Sequence, residues 1–171
     1  MRLKTLSFFV FLCLLISFEL CAQDNGISEF GKITSHLQKN FPEVDFSDKL
    51  ILVSFWSAEN AQSRMNNRDM LEVWNIYKAA LLKNGKKGVV FYTISTDKNK
   101  MEWELACKKD NLEKVPNYCD LQGMDSEIIK ALNVMQIPHN VLFDSNGKVI
   151  AVDMKTRDVV FNTFLNQITR Q

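Results

Sequence analysis

Lys49-Leu50-Ile51-Leu52-Val53-Ser54-Phe55-Trp56, continuing into Ser57-Ala58-Glu59-Asn60-Ala61-Gln62-Ser63-Arg64, is the stretch on which the fold turns. Its first eight residues are nearly all apolar and rich in strand formers, the pattern of a β-strand buried on both faces. Residues 60–82 change to helical spacing, with Met65, Leu71, Trp74, Tyr77 and Leu81 on the expected inner face and the Asn84-Gly85 pair as a stop. A second apolar strand follows at 88–95 (GVVFYTIS), then a helix over 97–110 with Met101, Trp103, Leu105 and Ala106 as candidate inward positions. Two doubly buried strands joined through a helix imply a parallel pair with a right-handed crossover.

Working outward, Ile27, Phe30, Ile33 and Leu37 recur at helical spacing, and Pro42 closes that helix. Residues 115–121 predict a short strand and 126–132 a short helix. Residues 140–144 (NVLFD) and 149–153 (VIAVD) flank Asn146-Gly147, the favoured dipeptide for a tight hairpin. A helix over 156–168 places Val159, Val160, Phe164 and Ile168 on one side. The expectation is one mixed α/β domain in which the two apolar strands are neighbours, 140–144 runs antiparallel to the first, and 149–153 forms the edge.

The chain opens as a secretory signal over residues 1–22: Arg2 and Lys4, an apolar run of about 13 residues, and Leu20-Cys21-Ala22 as the exit. That run falls short of the roughly 20 residues that span a bilayer. Removing 22 of 171 residues leaves 149, enough for one domain with a real core. The 21 basic and 20 acidic residues become 19 and 19, a balance that argues against nucleic acid as partner. Export, to the periplasm, is the expectation. Cys21 also allows a lipoprotein reading and hence a membrane anchor, but the Phe18-Glu19-Leu20 before it are not the small residues such a site needs.

Two cysteines, Cys107 and Cys119, remain beyond the signal, without a Cys-x-x-Cys pair. The only histidines, His36 and His139, are not at metal-ligand spacing, so neither a metal nor another cofactor is expected. A structural disulfide between Cys107 and Cys119 stays open, as does simple packing of each thiol.

Three segments resemble one family. Residues 53–64, residues 134–140 (VMQIPHN) and residues 143–151 (FDSNGKVIA) are similar to the strand–helix junction, the cis-proline loop and the terminal hairpin of exported thioredoxin-like thiol–disulfide oxidoreductases. The stretch 120–132 resembles the insertion of their redoxin-like branch. The resemblance implies a thioredoxin fold, a central mixed sheet flanked by helices, over residues 49–171, preceded by an N-terminal extension at 23–48. It also implies that the Ile137-Pro138 bond is cis and faces the helix start.

At the positions matching the family's Cys-x-x-Cys stand Asn60-Ala61-Gln62-Ser63. Exchange chemistry needs a thiolate at a helix start and a second thiol three residues on. Asn60 cannot ionise and the Ser63 hydroxyl is far too weakly acidic, so dithiol redox activity is not expected. Nor is peroxidase chemistry, since no cysteine lies between Phe55 and Leu82. Asn60 is a strong N-cap residue, so these positions can serve simply to start a helix. Alternatively Trp56, Glu59, Asn60, Ser63, Ile137 and Pro138 line a groove that binds a protein or peptide partner without chemistry. His139 reads as a loop histidine, and an oxidoreductase relying on Cys107 and Cys119 is the enzymatic alternative.

Overall fold

A computed structural model describes residues 27–83, 85 and 88–169; the signal, Cys13 and Cys21 lie outside them. In chain order the elements are α1 (Glu29–Asn40), β1 (Leu50–Trp56), α2 (Ala61–Tyr77), β2 (Val89–Ser95), α3 (Lys100–Lys109), β3 (Asn117–Tyr118), α4 (Glu127–Ala131), β4 (His139–Phe143), β5 (Val149–Val152) and α5 (Arg157–Leu165). Short 3-10 turns at Leu112–Lys114 and Gly123–Asp125 lead into β3 and α4.

The sheet order is β3-β2-β1-β4-β5. β1 and β2 run parallel in register from Leu50 opposite Val89 to Trp56 opposite Ser95, and every residue of both is buried. β4 is antiparallel to β1, and β5 pairs antiparallel with β4 at the edge. This is the arrangement expected from the two apolar runs and the Asn-Gly turn. It is a thioredoxin fold.

Alternation along the strands divides the core in two. Leu50, Leu52 and Trp56 pack with Met70, Val73, Tyr77, Val160 and Phe164 of α2 and α5 and with Ala106 and Cys107 of α3. Ile51, Val53 and Phe55 face the other way, against Ile33 and Leu37 of α1 and Ile128 and Ile129 of α4. His36 and Tyr92 add a 2.6 Å hydrogen bond between α1 and the sheet. The hairpin turn serves this layer too: Gly147 has φ +84°, and a Cβ there would lie 2.8 Å from the Phe30 ring. Glycine is therefore required both by the turn and by the approach of α1.

Several helix faces differ from those the apolar spacing predicts. Met65, Met101, Leu105 and Val159 are exposed, Met101 by 69% and Leu105 by 62%. α2 turns Ser63, Asn66, Asn67, Met70, Leu71, Val73 and Tyr77 inward, because the sheet beneath its first half presents Ser54, whose hydroxyl donates to Asn67 Oδ1 at 2.6 Å. α3 approaches through the small Ala106 and Cys107, leaving its larger side chains outside. α2 also ends at Tyr77 rather than near Leu82, and α5 at Leu165 rather than Ile168. Leu82 and Ile168 instead form a bridge, reinforced by Lys83 N–H donating to the Gln167 carbonyl and Thr169 N–H to that of Leu81, both at 2.9 Å.

Candidate functional site at the start of the second helix

β1 delivers the chain to the site and a buried carboxylate fixes the turn that follows. Asp97, 5% exposed, accepts from Ala58 N–H through both oxygens, at 2.9 and 3.0 Å, and from the Ser95 hydroxyl at 2.6 Å. Thr96 N–H donates to the Trp56 carbonyl at 2.8 Å. The turn is thereby tied to the end of β2, and α2 begins at a defined place.

Asn60 is the N-cap of α2. Its backbone is extended and its side-chain oxygen accepts from Ser63 N–H at 2.8 Å. A free first-turn donor, the feature that would stabilise an anion there, is thus used internally. Ser63 has no exposed surface, and neither its hydroxyl nor Asn67 Nδ2 nor Trp56 Nε1 has a partner among the described residues. The layer beneath the helix start consists of Ser54, Ser63, Asn66 and Asn67, all neutral and buried. It offers hydrogen bonds but no titratable group.

The Ile137-Pro138 bond is cis. Beside it lies a cleft of about 570 Å³, lined from α2 by Gln62, Met65 and Asn66, from the proline loop by Gln136, Ile137 and Pro138, and beyond by Asn140, Asp153, Lys155 and Thr156. The main-chain N–H and C=O of Ile137 make no hydrogen bond among the described residues. His139 Nδ1 and Asp153 Oδ1 are 2.7 Å apart, and the imidazole stacks on Phe55 with centroids 5.6 Å apart.

Of the six groove residues predicted from sequence, only Ile137 and Pro138 line this cleft. Trp56 and Ser63 are fully buried, because the end of β1 is covered on both faces and Ser63 lies on the inner face of α2. Asn60 is committed to its cap. Glu59 opens instead on a second cleft with Asp97, Glu102 and Asp125. No sequence signal marks Gln62, Met65, Asn66, Asp153 and Lys155 as cleft residues. They come from stretches about 90 residues apart with no local spacing to connect them, although Gln62 and Asn66 share a helix face and a 2.7 Å hydrogen bond.

Cys107 and Cys119 are free thiols. Burial pushes the Cys107 thiol up to about 12, against the opposing effect of Asn117 Nδ2 donating to its sulfur at 2.7 Å. Burial raises the Cys119 thiol as well. Neither is poised as a thiolate at neutral pH. Titration of residues 23–171 with a thiol reagent at pH 8 is therefore expected to find the same two slowly reacting thiols before and after reductant. A gain of two thiols after reduction would establish a Cys107–Cys119 disulfide instead.

Among the described residues no cluster of histidine, cysteine and carboxylate could hold a metal, and no helix is long and apolar enough to cross a membrane.

Comparison with known proteins agrees with this geometry. A family profile described as thioredoxin-like matches residues 48–149. A search of curated proteins finds no match. Among solved structures, a thiol-disulfide oxidoreductase from Bacteroides fragilis is 27% identical, with 71% of this chain and 82% of that one covered at a TM-score of 0.57. The C-terminal domain of a thiol-disulfide oxidoreductase from Bacteroides thetaiotaomicron is 26% identical, covering 71% and 80% at 0.56. A secreted disulfide oxidoreductase of Mycobacterium tuberculosis shares the fold at 17% identity, covering 71% and 84% at 0.57.

Proposed function

Because this chain belongs to the thioredoxin-like family, we propose that it has kept the scaffold and lost the chemistry: an exported, periplasmic binding or accessory module without dithiol exchange. The observation that carries this reading is the contrast between the two sides of the site. On the helix side, Asn60 closes the first turn upon itself and Ser63 is buried. On the loop side, the cis-proline segment leaves the donor and acceptor of Ile137 unpaired at the edge of an open cleft.

An extended peptide can pair with such an edge by the logic of strand addition, its backbone meeting Ile137 and its side chains entering the cleft. None of that requires sulfur. The neutral layer of Ser54, Ser63, Asn66 and Asn67 supports the same reading, since none of these side chains takes up the proton that thiol exchange moves, and the nearby buried carboxylate of Asp97 is engaged by Ala58 N–H and the Ser95 hydroxyl. The apolar opening of the sequence and the secreted relative support export. The alternative, redox work by Cys107 and Cys119, is opposed by two thiols held protonated by burial.

Two measurements on the mature chain test the proposal together. In an insulin-reduction assay with dithiothreitol the protein is expected to leave the uncatalysed rate unchanged. In ¹⁵N NMR, an unfolded cysteine-free peptide at millimolar concentration is expected to shift the amides of Gln62, Asn66, Ile137 and Lys155. Catalysed insulin reduction would defeat the loss of chemistry, and unmoved amides would defeat the binding module.

A further inference from the structure

The cleft beside Pro138 is not a neutral slot, and its polar groups differ in how far they are already engaged. Asn140 is saturated by the Met154 main chain, its Nδ2 donating at 3.2 Å and its Oδ1 accepting at 2.9 Å. Thr156 uses its hydroxyl to accept from Val159 N–H as the N-cap of α5. Asp153 is engaged through Oδ1 alone, which meets His139 Nδ1 at 2.7 Å and accepts from Asn140 N–H at 3.4 Å. Gln62 Oε1, the Ile137 carbonyl and Asp153 Oδ2 are open acceptors among the described residues, so what distinguishes the cleft is a cation without a counter-ion and an amide donor near it. Asn66 is only 4% exposed, with its Oδ1 held by Gln62, yet its Nδ2 has no partner among the described residues while the residue lines the cleft. Lys155 also lines the cleft and makes no ion pair among the described residues.

Thr156 also caps the nine-residue α5, but with Val159 N–H taken by that cap and Asp158 in the first turn, this helix start adds nothing for an anion. An amide donor that opens on a cleft without a protein partner is met by an acceptor arriving from outside. Met65, Ile137 and Pro138 supply the apolar wall for the stem of a side chain. A ligand that fits these groups carries a short apolar stem ending in a charged acceptor.

Resting on the peptide-binding reading above, we propose that the cleft selects a partner segment bearing a carboxylate side chain, glutamate or aspartate, with Lys155 and the Asn66 amide as its recognition groups. The backbone of Ile137 holds the segment in line, and the carboxylate decides which segment is held.

The test uses two peptides, acetylated and amidated so that the side chain is the only carboxylate, identical except for Glu or Gln at one central position. Each is titrated into the mature protein and into its Lys155→Met variant, with affinities taken from amide shifts. Lys155 is exposed, so the substitution leaves the core untouched. The Glu peptide is expected to bind about tenfold more tightly than the Gln peptide, the scale of one charge-assisted hydrogen bond. That advantage is expected to disappear in Lys155→Met, with the Gln peptide unaffected. It is also expected to shrink at 1 M salt, as a partly exposed ion pair should. Equal affinities for both peptides in the native protein would overturn the carboxylate preference while leaving peptide binding intact. A preference that survives Lys155→Met would overturn the assigned role of Lys155. Binding of neither peptide would overturn this inference together with the reading on which it rests.

Discussion

The double variant Asn60→Cys, Ser63→Cys is expected to catalyse insulin reduction where the native protein does not. The two positions are the N-cap and third residue of a 17-residue helix whose first turn carries no acidic residue, so the helix dipole acts on a thiol at position 60 without a carboxylate in that turn to oppose it. The thiol at 63 would sit where Ser63 now has no exposed surface, among neutral Asn66 and Asn67, where burial holds it protonated. That divides the labour as exchange requires: the first thiol attacks and the second resolves. Losing the Asn60 cap costs about 1 kcal/mol, which the fold can bear. Exposed Glu59 adds a negative charge next to the new thiolate, so the variant is expected to be a weak catalyst. Asn60→Cys alone should hold partners as mixed disulfides, since nothing at position 63 can release them. Equal insulin turnover by native and double-variant protein would show that this helix start was never the seat of the missing chemistry.

How much of this was legible in the sequence follows from how each residue meets the core. β1 and β2 are apolar at nearly every position because both faces are covered, and Asn146-Gly147 fixes its hairpin through Gly147 alone; no distant contact is needed to read either. The helices were harder. Apolar spacing assigns Met65, Met101 and Leu105 to the interior, but α2 lies over Ser54 and answers it with Asn67, while α3 comes close only because Ala106 and Cys107 are small. A hydrogen bond between residues 54 and 67 overrides periodicity, and nothing local announces it. The same applies to the site. Resemblance finds the helix start and the cis-proline in one dimension, but does not say that Trp56 and Ser63 face inward or that Lys155 and Asp153 return to the cleft from beyond β5.

The second large effect is expected at Asp110, which holds the cleft's α2 wall in place from behind. Its side chain is 1% exposed and accepts from Arg64 at 2.6 and 3.0 Å and from Arg68 at 3.0 Å. Arg64 and Arg68 lie on the first two turns of α2, the same turns that present Gln62, Met65 and Asn66 to the cleft, so this cluster ties α2 to the end of α3. Asp110→Ala leaves Arg64, with 21% of its side chain exposed, without its counter-ion. The expected loss is about 3 kcal/mol, the low end for breaking a buried pair, because Arg68 is half exposed and recovers water. The pH dependence has a definite sign. Burial alone would raise the Asp110 carboxyl, but the hydrogen bonds and charges of Arg64 and Arg68 outweigh it and hold the group below its ordinary value. Its stabilisation is then fully present above the unfolded value of about 3.9 and is lost as pH falls through the lower folded value. Urea unfolding at pH 7, and again in steps from pH 5 downward, measures both effects. Native stability should fall on acidification more steeply than that of Asp110→Asn, which has no proton to take up there. Parallel curves for the two proteins, or a loss under about 1 kcal/mol in Asp110→Ala, would mean that packing alone keeps α2 in position.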